Sequence, residues 1–216
     1  RPVSGDVMAA QAWATNADLI ADAHQLGYLD DDWLTLDMTY GRGTFWTKYR
    51  PARLITNDLG KGIPDVRFDM RHRAPFADHT FDVTVIDPPY KLNGTATKDV
   101  DERYGVENAT SRDDRHALMY DALTEGIRIT KPLGFVLFKC QDQVNSGRIW
   151  WQSRMFAEHA ETLGCTHKDS LLYLGHRPQP KGRSQQHARR NYSTLLVLRT
   201  PKTRMLQASL DLRSAA

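Results

Sequence analysis

Short apolar runs alternate with longer stretches of helical periodicity along this chain. Apolar residues recur at helical spacing over residues 7–26, and Gly27 is a typical C-terminal stop. Helical patterns also cover residues 44–49, 112–130 and 148–163. Seven runs rich in strand-forming residues are predicted to be strands: 34–38, 53–57, 66–69, 81–86, 134–140, 171–175 and 192–199.

The alternation of strands and helices predicts the fold class. Such an order is typical of α/β proteins, in which a mostly parallel sheet has helices packed on both faces. The runs at 171–175 and 192–199 have no helix between them, so we expect them to pair antiparallel. The prediction is a Rossmann-like, seven-stranded, mostly parallel sheet with an antiparallel hairpin at one edge. Ligands of such sheets bind at the carboxyl ends of the strands.

Length and composition narrow the class of protein. The 216 residues are 40% hydrophobic with a mean hydropathy of −0.56, so we expect a single domain at residues 1–200 and a polar tail at 201–216. No apolar stretch approaches the ~18 residues of a membrane helix, and the first residues lack the apolar core of a signal peptide. The 2 cysteines are too few for a disulfide framework or a metal site. A cytoplasmic protein without a metal is expected.

The predicted strand 81–86 runs directly into Asp87-Pro88-Pro89-Tyr90. Two successive prolines keep the backbone extended and remove two N–H donors, so carbonyl oxygens and the Asp87 carboxylate form a pocket of acceptors. An exocyclic amino group of a nucleobase carries two N–H donors and suits such a pocket, while the Tyr90 ring offers a face for stacking. The alternative is a plain turn, because Asp-Pro and Pro-Pro are common turn pairs.

A second candidate site follows the predicted strand 34–38. Asp37 is followed by Gly41 and Gly43, and Thr44 is suited to begin a helix. Glycines at this position let a ligand approach the backbone closely. The pattern lacks the third glycine of a dinucleotide loop and the Lys-Ser/Thr of a phosphate loop, so a ligand with a cationic amino acid group beside Asp37 is favoured. A tight strand-to-helix turn is the alternative.

Acidic residues also end the next two predicted strands. Asp58 follows the second predicted strand and Asp69 closes the third. The carboxyl ends of neighbouring parallel strands lie along one edge, so we expect these acids to converge on one crevice. There, an acid after the second strand can accept from ribose hydroxyls, and one after the third can accept from an adenine amino group. Taken singly, each is more often an ordinary strand terminator.

Together these motifs resemble those of the amino methyltransferases, which use S-adenosylmethionine to methylate exocyclic nitrogens of nucleic-acid bases. The resemblance covers roughly residues 7–199. It implies a catalytic motif made of Asp87, Pro88, Pro89 and Tyr90. It also implies a cofactor site made of Asp37, Thr39, Tyr40, Gly41, Gly43, Asp58, Asp69 and Asp87. In this family the glycine segment lies under the methionine part of the cofactor, Asp58 would hold the ribose and Asp69 the adenine.

The resemblance also implies a substrate. Within the family, an Asp at the first catalytic position is more typical of adenine N6 enzymes than of cytosine N4 enzymes, so we expect a DNA adenine N6 methyltransferase that flips its target base. An RNA amino methyltransferase acting on adenine N6 or guanine N2 is the first alternative, and a DNA cytosine N4 methyltransferase the next. A catalytically silent nucleic-acid-binding subunit is the third. Larger DNA members carry a target-recognition domain that this sequence lacks, so sequence specificity is expected to come from the two long loops or from a partner subunit, or to be low. A homodimer or a partner subunit is the expected assembly.

Two long loops follow predicted strand ends, at residues 91–111 and 177–191. The net charge of +3 permits a nucleic-acid partner without requiring one, but segment 177–190 contains no acidic residue and is predicted to contact phosphates. The predicted nucleic-acid contacts are Lys91, Asn93, Arg177, Lys181, Arg183, Arg189 and Arg190. A solvated surface loop is the alternative. Trp150 and Trp151 are expected in the core.

Overall fold

The computed structural model describes residues 13–60, 62–92, 111–175, 186–188 and 190–202. The helices and strands, in chain order, are α1 (Asn16–Gln25), β1 (Thr35–Asp37), β2 (Leu54–Thr56), β3 (Phe81–Ile86), α2 (Arg112–Ile129), β4 (Thr130–Cys140), β5 (Gln143–Asn145), β6 (Arg148–Trp150), α3 (Gln152–Thr162), β7 (Thr166–Leu174) and β8 (Tyr192–Arg199). A short 3₁₀ turn, Thr44–Trp46, lies between β1 and β2. No helix in these ranges is long and apolar enough to cross a bilayer.

The main sheet has the strand order β2-β1-β3-β4-β8-β7. Strands β2, β1, β3 and β4 are parallel, whereas β8 runs antiparallel to both β4 and β7. The predicted α/β class and antiparallel edge hairpin are therefore confirmed. The chain goes from β1 to β2 on one side and then to β3 on the other, so the order reverses between β1 and β3. Ligand crevices of open α/β sheets form at such a point.

Helices pack on both faces of the sheet, as predicted. On one face, α1 and the 3₁₀ turn pack against alternate residues of the central strands, including Val83, Val85, Leu137, Leu195 and Val197. On the opposite face, α2 and α3 pack against the intervening residues, including Ile86, Val136, Phe138, Leu196 and Leu198. Strands buried on both faces explain why these runs are continuously apolar rather than alternating.

The third predicted strand, 66–69, is not formed, and the main sheet has six strands, not seven, within the described ranges. The segment is joined to the end of β2 by an isolated parallel bridge between Asn57 and Val66 and by a hydrogen bond from Val66 N to Thr56 O at 3.1 Å. Beyond it, the Asn57 side chain replaces the backbone ladder, because its Oδ1 accepts from Phe68 N at 2.8 Å and its Nδ2 donates to Phe68 O at 3.1 Å. A β2 strand of only 3 residues offers little edge for further pairing.

Two predicted helices begin later than their periodicity suggested. Helix α1 starts after Thr15, whose side chain accepts from Asp18 N at 3.1 Å as an N-cap. Helix α3 starts at Gln152, because residues 148–150 pair with 143–145 as a separate two-stranded ribbon. Helix α2 matches its prediction within one residue, and a capping box at Ser111 defines its start.

Candidate functional site at the carboxyl ends of β1 and β3

The motif predicted to be catalytic extends from the tip of β3. Its first residue is anchored, because Asp87 N donates to Thr39 Oγ1 at 2.7 Å. Pro88 and Pro89 are buried, and the carbonyl of Pro88 accepts from Tyr90 N at 2.7 Å. The motif is thus a tight turn held against the loop that follows β1.

Amide side chains from the other side of the sheet hold the end of this turn. The Tyr90 carbonyl accepts from Gln143 Nε2 at 2.6 Å and from Gln152 Nε2 at 3.1 Å. Gln143 Oε1 in turn accepts from Leu92 N at 3.1 Å. Sequence reasoning missed both glutamines. The signal available was the polar run at 141–143 directly after an apolar strand, but its partner lies 53 residues away in the chain.

The Asp87 carboxylate is mostly buried, with 19% of its side chain exposed. Its Oδ2 lies 3.8 Å from Lys139 Nζ, and its Oδ1 is fully buried with no hydrogen-bond donor among the described residues. Burial raises the pKa of Asp87, and the Lys139 ammonium opposes that shift. A buried, unpaired acceptor is rare in folded proteins and is the kind of atom that a ligand donor satisfies.

Asp37, at the end of β1, organises the following loop from within. Its Oδ1 accepts from Thr39 N at 2.8 Å and its Oδ2 from Trp46 Nε1 at 2.7 Å. The residue is only 2% exposed, and burial raises the pKa of Asp37 to about 7. Both carboxylate oxygens therefore already bond the protein, and the contact with a cationic ligand group stays a prediction.

The two glycines after β1 adopt left-handed conformations that favour glycine. Their φ angles are +56° at Gly41 and +69° at Gly43. A Cβ at Gly43 would lie 2.5 Å from Tyr40 Oη. The Gly41 N–H donates to Asp58 Oδ2 at 2.6 Å, while Gly60 N donates to Asp58 Oδ1 at 2.5 Å. Asp58 thus joins the loop after β1 to the loop after β2.

A shallow pocket opens between the ends of β1 and β2. Its lining residues are Met38, Thr39, Asn57, Asp58, Leu59, Phe68 and Met70. The Asp69 side chain is not in the lining and instead binds Arg71, with Oδ2 2.6 Å from Nη2. Burial raises the pKa of Asp69, but the hydrogen bonds from Arg71 outweigh it and hold the pKa below its usual value. The pocket brings together Met38 and Thr39 at the start of the loop after β1, Asp58 after β2, and Phe68 and Met70.

The predicted nucleic-acid contacts are only partly within the described ranges. Lys91 is exposed at the end of the Asp-Pro-Pro-Tyr turn, and the Arg190 guanidinium lies 4.8 Å from the centre of the Trp151 ring. Asn93, Arg177, Lys181, Arg183 and Arg189 lie outside the described residues.

The expectation that both tryptophans are core residues is wrong. Trp151 is 44% exposed, because it stands at the N-cap of α3, where the chain leaves the β5–β6 ribbon. Trp150 is partly buried, and the guanidinium groups of Arg112 and Arg148 lie 4.3 Å and 4.6 Å from the centre of its ring. We call Arg112, Arg148, Trp150, Trp151 and Arg190 the arginine–tryptophan surface.

No family model and no curated protein matches this sequence. Solved structures do match the fold. A protein provisionally described as a methyltransferase from Bacillus halodurans matches with a TM-score of 0.54 and 12% identity, over 84% of this chain and 98% of that chain. This chain has a methyltransferase fold. The protein bound to the Trm112 methyltransferase activator of Haloferax volcanii gives 0.52 and 13% over 89% and 96%. The N-methyltransferase NodS of Bradyrhizobium japonicum gives 0.50 and 14% over 85% and 95%. At such identities the similarity concerns the fold.

Proposed function

We propose that this protein transfers a methyl group from S-adenosylmethionine to the exocyclic amino group of a nucleobase, namely adenine N6 in DNA. The observation that carries the proposal is the buried, unpaired Oδ1 of Asp87. It lies at the tip of β3, next to β1, where the strand order of the sheet reverses. An acceptor without a donor at this place suits a substrate that brings N–H groups.

The loops after β1 and β2 fit the proposed cofactor. The methionine part would lie against the loop of Thr39, Tyr40, Gly41 and Gly43. A Cβ at Gly41 would meet nothing nearer than 3.8 Å, whereas the Tyr40 side chain packs directly over Gly43. Phe68 supplies an apolar wall for an adenine ring at the pocket.

Two acids complete the proposed cofactor site. The Asp58 oxygens each accept one backbone N–H and retain lone pairs for ribose hydroxyls. Asp69, one residue along from Phe68, is the proposed acceptor for the adenine amino group. When bound, S-adenosylmethionine supplies a methyl group that its sulfonium makes electrophilic.

The task of the motif is to orient an amine and to raise its nucleophilicity. Asp87 Oδ1 accepts one amino proton, and the Pro88 carbonyl, which already accepts from Tyr90 N, has a second lone pair for the other. Both bonds draw the amine nitrogen out of conjugation with the ring and direct its lone pair at the methyl group. Positioning of this kind supplies most of the rate enhancement expected here.

Methyl transfer leaves the nitrogen with one proton too many. With S-adenosylmethionine bound, the new bond from the methyl carbon to the amine nitrogen would replace its bond to sulfur, and the Asp87 carboxylate would take the surplus proton. Burial raises the pKa of Asp87, so the carboxylate can hold this proton before releasing it to water. In duplex DNA the base must first be flipped at a cost of a few kcal/mol, and stacking on Tyr90 would return about 1–3 kcal/mol.

The arginine–tryptophan surface supports a polymeric substrate over a free small amine. Trp151 immediately precedes Gln152, which donates to the Tyr90 carbonyl at 3.1 Å, so exposed aromatic and cationic groups adjoin the proposed catalytic turn. Arginines neutralise phosphates, and an exposed indole stacks on bases irrespective of their sequence. Lys91 would extend this contact from the other side of the turn. We also propose that a second copy of this chain or a partner subunit helps to select the target base.

The decisive experiment is an in vitro reaction with labelled S-adenosylmethionine on DNA and RNA of identical sequence, followed by mass spectrometry of the nucleosides. We expect N6-methyladenine in DNA. A label on RNA adenine or guanine would favour the RNA alternative, and N4-methylcytosine the cytosine alternative. No transfer to either polymer, with nucleic-acid binding intact, would favour a silent subunit and contradict the proposal.

A further inference from the structure

Lys139 is a buried lysine beside the proposed catalytic acid, and it belongs to none of the predicted motifs. It is the penultimate residue of β4, and 3% of its side chain is exposed. Its Nζ donates to Asn16 Oδ1 at 2.7 Å and lies 3.8 Å from Asp87 Oδ2. The parallel register pairs Ile86 with Phe138, so the next residues of the two strands, Asp87 and Lys139, are neighbours on the same face.

Three further elements fix the position of the ammonium group. The Phe45 ring, in the 3₁₀ turn after the glycine loop, lies 5.0 Å from Nζ, and the Tyr173 ring of β7 lies 5.5 Å away. Asn16 begins α1. Burying a charge in this way is unfavourable unless another charge compensates it, and an apolar residue of the same size would fill the space without that penalty. Its presence therefore points to a function of the charge itself.

We propose that Lys139 is a positioning residue for the methyl transfer: its ammonium keeps the Asp87 side chain as a carboxylate and occupies Oδ2, leaving Oδ1 free for the substrate amine. This inference rests on the function proposed above. It deepens that proposal by naming the group that sets the charge state of the acceptor. A protonated Asp87 would present a donor to an amine that already brings two donors, and the acceptor pocket would be lost.

The charged and titratable groups around Asp87 favour this assignment. Asp37 lies on the neighbouring strand β1, and the charge of Asp87 contributes to raising the pKa of Asp37. Cys140, next to Lys139 on β4, stays a neutral thiol because burial raises its pKa well above the usual value. Lys139 is the positive group that acts on Asp87 against its burial. Among the described residues, its removal leaves burial, which favours protonation of Asp87.

The test compares K139M, which removes the charge, with K131M as a matched control. Lys131 lies on the same strand and pairs with Asp82 of β3 at 2.7 Å, but at the opposite end of the sheet. The first measurement is the pKa of the Asp87 carboxyl by ¹³C NMR of the full-length protein, assigned with D87N. We expect this pKa to rise by about one pH unit or more in K139M and to stay unchanged in K131M.

The second measurement is the pH profile of methyl transfer. In K139M the acid limb of the profile should move to higher pH, so that activity lost near neutrality returns on raising the pH, whereas K139R should keep the limb in place. K139Q retains a donor for Asn16 and provides a second neutral variant if K139M does not fold. An unchanged Asp87 pKa in a folded neutral variant overturns the inference, as does a rate loss that is equal at every pH.

The NMR measurement requires neither cofactor nor nucleic acid. A failure of the proposed function would appear as wild-type protein that methylates no base, while a failure of the Lys139 inference would appear in the Asp87 pKa. The two outcomes are therefore distinguishable.

Discussion

The backbone N–H of Asp87 donates a 2.7 Å hydrogen bond to the side-chain hydroxyl of Thr39. Thr39 in turn donates its own N–H to Asp37 Oδ1 at 2.8 Å. The turn proposed to hold the target amine and the loop proposed to hold the cofactor are thereby joined across the strand-order reversal between β1 and β3. The relative position of two reacting groups depends on such a link, and a small displacement costs much of the rate.

The Thr39 hydroxyl should therefore matter more than its size suggests. T39V keeps the shape and removes the acceptor of Asp87 N, so we expect a loss of about 1–2 kcal/mol in the free energy of unfolding and a fall in kcat. T39S keeps the acceptor and should behave like the wild type in both. Urea unfolding and single-turnover methylation measure the two effects. Equal behaviour of T39V and T39S would contradict this account.

Asp87 is proposed to contact the substrate amine more than the cofactor. D87A should therefore abolish methyl transfer while the cofactor Kd, measured by calorimetry, stays within about tenfold of the wild type. Asp82, at the start of the same strand, accepts from Leu34 N at 2.9 Å and gives the control variant D82N, which should keep activity. Retained methylation in D87A would refute the catalytic assignment.

The raised pKa of the buried Asp37 carboxyl predicts that the free energy of unfolding depends on pH. Burial raises the pKa of Asp37 to about 7, so the folded protein holds a proton that the unfolded chain releases. This contribution to the free energy of unfolding is fully present below about pH 4 and is lost as pH rises to about 7, on the order of a few kcal/mol in all.

The variant D37N isolates this contribution. It leaves one of the two donors, Thr39 N or Trp46 Nε1, without an acceptor, so we expect lower stability at every pH. Its deficit relative to the wild type should be larger near pH 5 than near pH 8, because only the wild type gains from the bound proton. Urea unfolding at the two pH values measures this, and a constant deficit would show that Asp37 does not titrate in this range.

A comparison of alanine variants at Gly43 and Gly27 distinguishes the effect of backbone strain from the effect of a steric clash with Tyr40. Both have positive φ, +69° and +80°, but a Cβ at Gly43 would lie 2.5 Å from Tyr40 Oη while one at Gly27 would meet nothing within 4 Å. G43A and G27A should each lose about 1 kcal/mol of stability. Only G43A should weaken cofactor binding, because Tyr40 has to move; similar cofactor affinities in the two variants would remove this loop from the cofactor site.

The arginine–tryptophan surface predicts separable effects on nucleic-acid binding. W151A should lose about 1–3 kcal/mol of binding free energy through stacking. R190A should weaken binding and lower the slope of log K against log salt by about one. Fluorescence anisotropy across a salt series measures both.

Arg154 provides the control for this surface. It is on the exposed side of α3, pairs with Glu158 at 2.6 Å and is 76% exposed. R154A should leave both affinity and salt slope unchanged. An unchanged slope in R190A, or equal slopes for R190A and R154A, would show that the arginine–tryptophan surface does not contact nucleic-acid phosphates.

The periodicity of the sequence was enough for most of the fold. Helix α2 and strands β3 and β8 match their predicted ranges within one residue, because their residues are buried on defined faces and the hydrophobic period reflects burial directly. Strands β4 and β7 begin at Thr130 and Thr166, earlier than the predicted starts at 134 and 171. The prediction of a strand at 66–69 was wrong because a strand there needs a free edge of β2 to pair with. The Asn57 side chain instead accepts the hydrogen bond from Phe68 N that a backbone carbonyl would accept in a sheet. The prediction that Trp151 is a core residue was wrong because its exposure depends on its place at the junction of β6 and α3, which local sequence does not reveal.

By itself the sequence determined the α/β alternation, the antiparallel hairpin and the acidic and glycine residues at strand ends, because these depend on neighbours along the chain. Only the tertiary structure decided which groups act on Asp87. Thr39 is 48 residues away from it, and Lys139 reaches Asn16 across 123 residues. The β3–β4 register places Lys139 beside the acid, and register is a property of two paired strands that neither strand carries alone.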